Sequence, residues 1–390
     1  MSPRLRLGVL CSHPIQYNAP LFRELAQLVD LHVYYAHRQT AAGQAEAGFG
    51  VAFEWDSDLF SGYSHEFLDN ISSKPGVGHF FGCDTPAIVN RIRDGRFDAF
   101  LVTGWYLKSY WQGIRACRRL GIPVLVRGDS RLATSRSPLK RMTKQALYPQ
   151  LLKQFAACLY VGQDSREYYA HYGVPDARLF FAPHCVDNDW FASQALGISK
   201  NQARRESGIP DDGSDILLFV GKLIDIKRPT DIVQAAAVIR DAGRKVSLLY
   251  VGDGPLRAQI EAEAARLAVP VMFLGFRNQS ELPTLFRAAD LLVLPSESET
   301  WGLAVNEAMA CGTPAVVADS VGCAADLLPP GSVYPKGDIA EMARVLLAAL
   351  DTPVVPAFLV EKMQRYSVPV AARGVREAAL WVSNAKATRS

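Results

Sequence analysis

Apolar residues in this chain come in short unbroken runs, each closed by glycine, proline or a polar cluster and followed by a segment of helical period. LRLGVLC (5–11), LHVYYA (31–36), FDAFLVTG (97–104), PVLVRG (123–128) and ACLYVG (157–162) read as strands, with helices around 21–28 and 109–120 between them. A polar stretch, SKNQARRESGIPDDGSD (199–215), separates this series from a second one. There DILLFVGKL (215–223), KVSLLYVGDGP (245–255), VMFLG (271–275) and LLVLP (291–295) read as strands, with helices over 230–242, 256–268, 281–288 and 302–311. Such alternation predicts two α/β halves, each a doubly wound parallel sheet. The expected division is 1–195, 196–365 and a terminal helical segment, 366–390, packing back on the first half.

Composition adds bounds. A chain of 390 residues is long for one core, and 49% apolar with 21% charged residues fits an ordinary globular protein. A net charge of +3 does not point to nucleic acid. The seven cysteines are scattered and include no C-x-x-C pair, which predicts reduced, buried thiols and no structural zinc. The start, MSPRLRLGVLC, has too few consecutive apolar residues for a signal peptide, and no run approaches the roughly 18 of a spanning helix. The expectation is a cytoplasmic protein, touching a membrane at most from outside.

Candidate chemistry concentrates in PSESETWGLAVNEAMACGTPAV (295–316). A polar loop leads from a strand into a helix whose N-terminus, at the carboxyl end of a parallel sheet, is an anion site. The loop nevertheless carries Glu297 and Glu299, which repel phosphate. A nucleotide-sugar reconciles the two, with backbone N–H groups on its diphosphate and carboxylates on its hydroxyls. The same residues also read as a solvated acidic loop before an ordinary amphipathic helix. Lys222 and Lys227, just past another strand's carboxyl end, are placed to neutralise a diphosphate leaving group, or are simply solvated surface lysines. Gly252 and Gly254 in VGDGP allow close backbone approach to a ligand, as any tight turn does.

Taken together, GKLIDIKRP, YVGDGP, FLGF and LFRAADLLVLPSESETWGLAVNEAMACGTPAVV, over roughly 215–330, resemble the retaining glycosyltransferases of family 4. Their GT-B architecture sets two Rossmann-like domains across a cleft, with a C-terminal helix crossing back. HPIQYNAPLFREL (13–25), WDSDLFSGY (55–63) and RGDS (127–130) look like a bacterial branch that builds surface polysaccharides or other glycoconjugates. The resemblance implies that Glu299 bonds hydroxyls of the transferred sugar, Glu307 binds the ribose, and Lys222 and Lys227 hold the diphosphate. It places the main chain of Trp301, Gly302 and Leu303 against phosphate and sugar, and Arg277 beside the base. The implied activity is metal-independent transfer, with retention, of a hexose-type sugar from a nucleotide-diphosphate donor such as a UDP-sugar to a hydroxyl of a glycan or lipid-linked acceptor. No cofactor beyond the donor is expected. Competing readings are a GT-B phosphorylase or epimerase, or a non-catalytic nucleotide-sugar-binding partner of another transferase.

The first half is less telling. His13, in the turn after the first strand, is an acceptor-side candidate or a packing histidine. Family members often carry a histidine after a later strand of this domain, where this chain has Asp129, a general base or a helix cap. Residues 130–163 hold six basic residues, Arg131, Arg136, Lys140, Arg141, Lys144 and Lys153, and no acidic one, interspersed with leucine and methionine. This reads as a contact with an anionic membrane, chiefly through 130–153, or as a solvated helix face. Asp56-Ser57-Asp58 spells D-x-D, placed in the acceptor-side half and read as loop chemistry. His184, in APHCVDN, is a further candidate for lining the cleft.

Overall fold

The computed structural model describes residues 4–40, 54–132, 138–210, 212–352 and 354–387, which organise around two sheets. The first comprises β1 (Arg6–Cys11), β2 (Asp30–Tyr35), β3 (Ser64–Phe67), β4 (Ala99–Val102), β5 (Val124–Gly128), β6 (Ala157–Tyr160) and β7 (Leu179–Phe181), in the order β3-β2-β1-β4-β5-β6-β7. The second comprises β8 (Asp215–Val220), β9 (Val246–Val251), β10 (Val271–Gly275), β11 (Leu291–Leu294), β12 (Ala315–Ala318) and β13 (Val333–Tyr334), in the order β10-β9-β8-β11-β12-β13. Neighbouring strands pair in parallel in both. Each sheet with its helices is a Rossmann-like α/β domain, as the run pattern predicts.

Central strands are uninterrupted apolar runs because helices cover both faces. Leu7, Val9, Leu10, Leu217, Leu218 and Phe219 are essentially without solvent contact. The edge strands β3 (SHEF) and β7 (LFF) are only partly buried, and the sequence reading missed both. The stretch read as a polar separator also carries structure. Lys200–Glu206 is a helix, N-capped by Ser199 accepting from Gln202 N at 3.2 Å, with Lys200 and Arg204 both on Asp290.

Contacts divide the chain into two compact units. The first takes the described residues of Met1–Gln39, Asp58–His184 and Val368–Ser390; the second takes those of Thr40–Ser57 and Cys185–Ser367. The last helix, Val368–Ala387, therefore belongs to the first unit. Its Ala371, Val375, Ala378 and Val382, at helical spacing, are buried, and the helix packs on Asn18–Leu28 and on β7. All seven cysteines are buried. Among the described residues no single helix is long and apolar enough to cross a membrane.

One glycine fixes how closely that helix approaches the sheet. A β-carbon on Gly374 would lie 1.8 Å from the Phe181 carbonyl oxygen. In a free helix Gly→Ala gains about 1 kcal/mol, whereas forcing a methyl into a filled site costs about 1–3 kcal/mol. Gly374→Ala is therefore expected to lower the melting temperature by several degrees. A melting temperature unchanged or raised would refute the close contact.

Candidate functional site

Strand order sets the candidate residues of the second unit along one sheet edge. Arg277 follows β10, Gly252 and Gly254 follow β9, Lys222 and Lys227 follow β8, and Glu299 and Gly302 follow β11. The winding reverses between β8 and β11, where open parallel sheets place ligands.

Main-chain contacts hold these loops. Gly221 N donates to Val251 O and Leu223 N to Asp253 O, both at 2.9 Å, so the turns after β8 and β9 stay paired beyond the sheet. Gly252 (φ +125°) and Gly254 (φ +159°) sit where a β-carbon would fall 2.0 Å from Gly221 O and 2.5 Å from Leu223 O. The close approach that these glycines permit is, within the chain, that of one turn to another. The acidic loop is fixed likewise. Glu299 bridges Val321, Glu297 N donates to Ile226 O at 2.8 Å, and a β-carbon on Gly322 would lie 2.0 Å from Thr300 O. Gly302 (φ +100°) then opens the helix Leu303–Ala310. The Trp301 side chain is 3% exposed and donates from Nε1 to Asn306 Oδ1 at 2.8 Å, so its indole is an internal anchor.

Charges in the loop are paired off. Lys227 Nζ donates to Glu299 Oε2, with both side chains partly buried. Lys222 is depressed below the usual lysine range, by burial first and then by the charge of Lys227. Glu297 is held below the usual carboxylate range chiefly by Lys336, at 2.6 Å, with Arg228 at 3.2 Å. The carboxylates that oppose an anion on paper are thus each met by a cation. Glu307, one helical turn into Leu303–Ala310 and partly buried, is different: burial raises it to about 8.

Arg277 donates from Nη1 to Glu281 at 2.8 Å. Asn278 beside it caps the next turn and donates to Glu54 O at 2.8 Å, while Asp56 accepts from Ser280 N at 3.2 Å. The D-x-D pair was expected in the acceptor-side half, and this needs correcting. Asp56 belongs to the second unit, bonded to Ser280, whereas Asp58 belongs to the first and accepts from Phe60 N and Ser61 N at 3.0 and 3.1 Å. Their hydrogen bonds direct the two carboxylates to different elements. Among the described residues no group of three or more His, Cys, Asp or Glu gathers as a metal site requires.

The first unit has its own polar cluster at the carboxyl edge. Asp129 follows β5 and lies 3.8 Å from Nε2 of His184, which follows β7. Asp129 begins no described helix, so the cap reading fails for the described residues. The His184 ring meets Tyr17 edge-on, centroids 5.5 Å apart, and burial keeps it below the usual histidine range against the pull of Asp129. Arg127, buried in β5, donates to Ala182 O and Pro183 O at 3.1 and 2.7 Å and so fixes the segment that carries His184. His13, bonded to Ser12 Oγ at 2.9 Å, is lowered to about 4 by burial and by His37. Tyr17 and Arg127 lie in the stretches 13–25 and 127–130 singled out in the sequence, but neither was assigned a role there. In the basic stretch, Arg131 is turned onto Asp164, while Arg136 and the Lys140 side chain lie outside the described residues.

Comparison with known proteins gives a family match over part of the chain. Residues 199–367 match the family described as Glycosyl transferases group 1. The 2-deoxystreptamine glucosyltransferase of Streptomyces kanamyceticus is 35% identical over 191 residues, 47% of this chain and 48% of that protein. The D-inositol 3-phosphate glycosyltransferase of Pseudarthrobacter chlorophenolicus is 31% identical over 262 residues, 64% and 60% of the two chains. The chain thus spans between about half and three fifths of these relatives' length. Among solved structures, Anabaena HepE in complex with UDP superposes with a TM-score of 0.70 at 18% identity, covering 96% of this chain and 99% of that one. A Rickettsia africae glycosyltransferase gives 0.71 at 12% identity, covering 98% and 99%. The fold is that of GT-B glycosyltransferase structures.

Glu307 yields a pH-dependence. Its carboxyl titrates near 8 when folded and about 4.3 when unfolded, so the folded chain holds the extra proton between those values. The stability this contributes is complete below about pH 4.3 and lost as pH rises through about 8. Glu307→Gln is expected to flatten that decline, so that the variant gains melting temperature over the parent at pH 8.5 relative to pH 5.5. A constant difference between the two at all pH values would contradict a buried, protonated carboxyl.

Proposed function

We propose that this chain is a retaining, metal-independent glycosyltransferase that moves a hexose-type sugar from a nucleotide-diphosphate donor, UDP-linked, to a hydroxyl of a glycan or lipid-linked acceptor in envelope glycoconjugate synthesis. The observation that carries the proposal is the Lys227–Glu299 pair beside Lys222, held on glycine-packed loops within the stretch that matches the glycosyltransferase family. The names of the relatives and the UDP in the HepE complex support a nucleotide-sugar donor.

In this reading Lys222 and Lys227 take the charge that develops on the departing diphosphate, which is why no metal is needed. Glu299, positioned by Lys227, accepts hydrogen bonds from the sugar; Glu307 accepts from the ribose; Arg277 lies by the base. A carboxylate already bonded to an ammonium is a poor nucleophile, which favours front-face substitution over a covalent intermediate. Asp129, with His13 and His184, serves the acceptor hydroxyl. The exposed Leu139, Met142 and Leu147 of helix Pro138–Leu152, with Arg141 and Lys144 on the same helix, support a peripheral membrane contact on the cytoplasmic side.

The test is nucleotide release from a panel of nucleotide-sugars, with and without envelope lipid extract. Acceptor-dependent release of UDP is expected, and Glu299→Ala should reduce turnover about 100-fold or more while the melting temperature stays within a few degrees. Nucleotide binding without release under any pairing would favour a non-catalytic partner instead, and full turnover by the variant would remove Glu299 from the site.

A further inference from the structure

A cavity of about 670 Å³ opens at the amino edge of the first sheet. Its walls are Gly121–Val124 leading into β5, Phe155 and Ala156 before β6, Arg178 before β7, and Trp381, Val382 and Ala385 of the last helix. Asp129 and His184 follow the opposite ends of β5 and β7, roughly 15 Å away along five strand residues. The cavity is therefore separate from the acceptor-side cluster of the same unit.

Its charge is one-sided. Arg118, Lys153 and Arg178 line it, and among the described residues no aspartate or glutamate does. Two of the three are tied to the segment that follows Lys153. Arg118 Nη1 donates to Gln154, the neighbour of Lys153, and Arg178 donates to the carbonyls of Phe155 and, from Nε at 3.1 Å, Ala156. Arg178 is thus locked in place by the main chain, and no carboxylate among the described residues pairs with it. Several other arginines meet carboxylates, as Arg244 does Asp215 and Asp351 at 2.6 and 2.5 Å. Gathering three cations about one recess costs energy unless an anion completes it. Guanidinium forks beside an ammonium suit phosphate best.

The volume exceeds what a bare ion needs and falls within the range of small-molecule sites. Trp381, 41% exposed, adds a large apolar ring to the wall and contacts Phe180 at 5.7 Å between centroids. We infer that this cavity is a binding site for an organic phosphate that carries an aromatic or apolar group, its phosphate on Arg118, Lys153 and Arg178 and its apolar part against Trp381. A soluble metabolite or an anionic lipid headgroup supplies the same chemistry.

The test uses the full chain, with phenyl phosphate and inorganic phosphate titrated calorimetrically and phosphatidylglycerol or phosphatidylcholine vesicles in co-sedimentation. Phenyl phosphate is expected to bind more tightly than inorganic phosphate. Arg118→Gln with Lys153→Glu should weaken it at least tenfold, Trp381→Ala at least threefold, and Arg344→Ala, which removes a surface arginine paired with Glu341, should leave it unchanged. Vesicle binding that needs phosphatidylglycerol and fails in the same Arg118 and Lys153 variant assigns the phosphate to a lipid; its absence, with phenyl phosphate bound, assigns it to a soluble ligand. Binding of neither probe, or binding indifferent to the Arg118 and Lys153 changes in a protein of unaltered thermal unfolding, overturns the inference. Lys153→Gln alone serves if the double variant does not fold.

Discussion

Backbone lying directly on backbone is the constraint on which the second unit's edge depends. Gly252 against Gly221, Gly254 against Leu223 and Gly322 against Thr300 are contacts with no room for a β-carbon. The first two couple the turns after β8 and β9, the third couples those after β11 and β12, and Glu297 N donating to Ile226 O joins the two pairs, so that Lys222, Lys227 and Glu299 stand on one connected ridge. Side chains on independently mobile loops would have to be ordered at each binding event, at an entropic cost that this arrangement has already met in folding. The first unit reaches a similar end by another route: Arg127 ties the chain ahead of His184 with charge-assisted bonds to two carbonyls.

On that ridge, charge is arranged by pairing. Lys227 engages Glu299, and Lys336 with Arg228 engages Glu297, so the acidic loop loses most of its repulsion for anions while keeping its acceptor atoms. Glu307 lies outside this pairing, and burial keeps its proton on. A site built this way offers cations, carboxylate acceptors and one neutral carboxyl within a single edge, which suits a ligand that is anionic at one end and hydroxylated at the other.

How much of this could be read from the sequence depends on how local the determining contact is. Strands buried on both faces announce themselves as apolar runs, so β1, β2, β4, β5, β6, β8, β9 and β11 were legible; buried β12 was passed over, being only four residues inside the candidate motif. The edge strands β3 and β7 were not, because a half-exposed strand has no such run. The helix at Lys200–Glu206 was hidden by its polarity; what holds it is Asp290, far along the chain. Site residues follow the same rule. Glu299, Glu307 and the two lysines sit in contiguous motifs, whereas the neutralisation of Glu297 by Lys336 and the meeting of Asp129 with His184 are created only by folding. The glycines of VGDGP were recognisable as a close-approach signal, but only coordinates show what approaches.

The last helix has a consequence for biosynthesis. Because Val368–Ala387 is part of the first unit, the portion of the chain made first is the portion completed last. During synthesis the sheet of β1 to β7 and helix Asn18–Leu28 must wait, with an apolar face uncovered, while the whole of the second unit is translated, roughly ten to forty seconds at ribosomal rates. The second unit meets no such delay, since nearly all of it is contiguous. Nascent chains therefore pass through a stage in which a finished domain is tethered to an unfinished one, and that interval is when a chaperone would have most to shield.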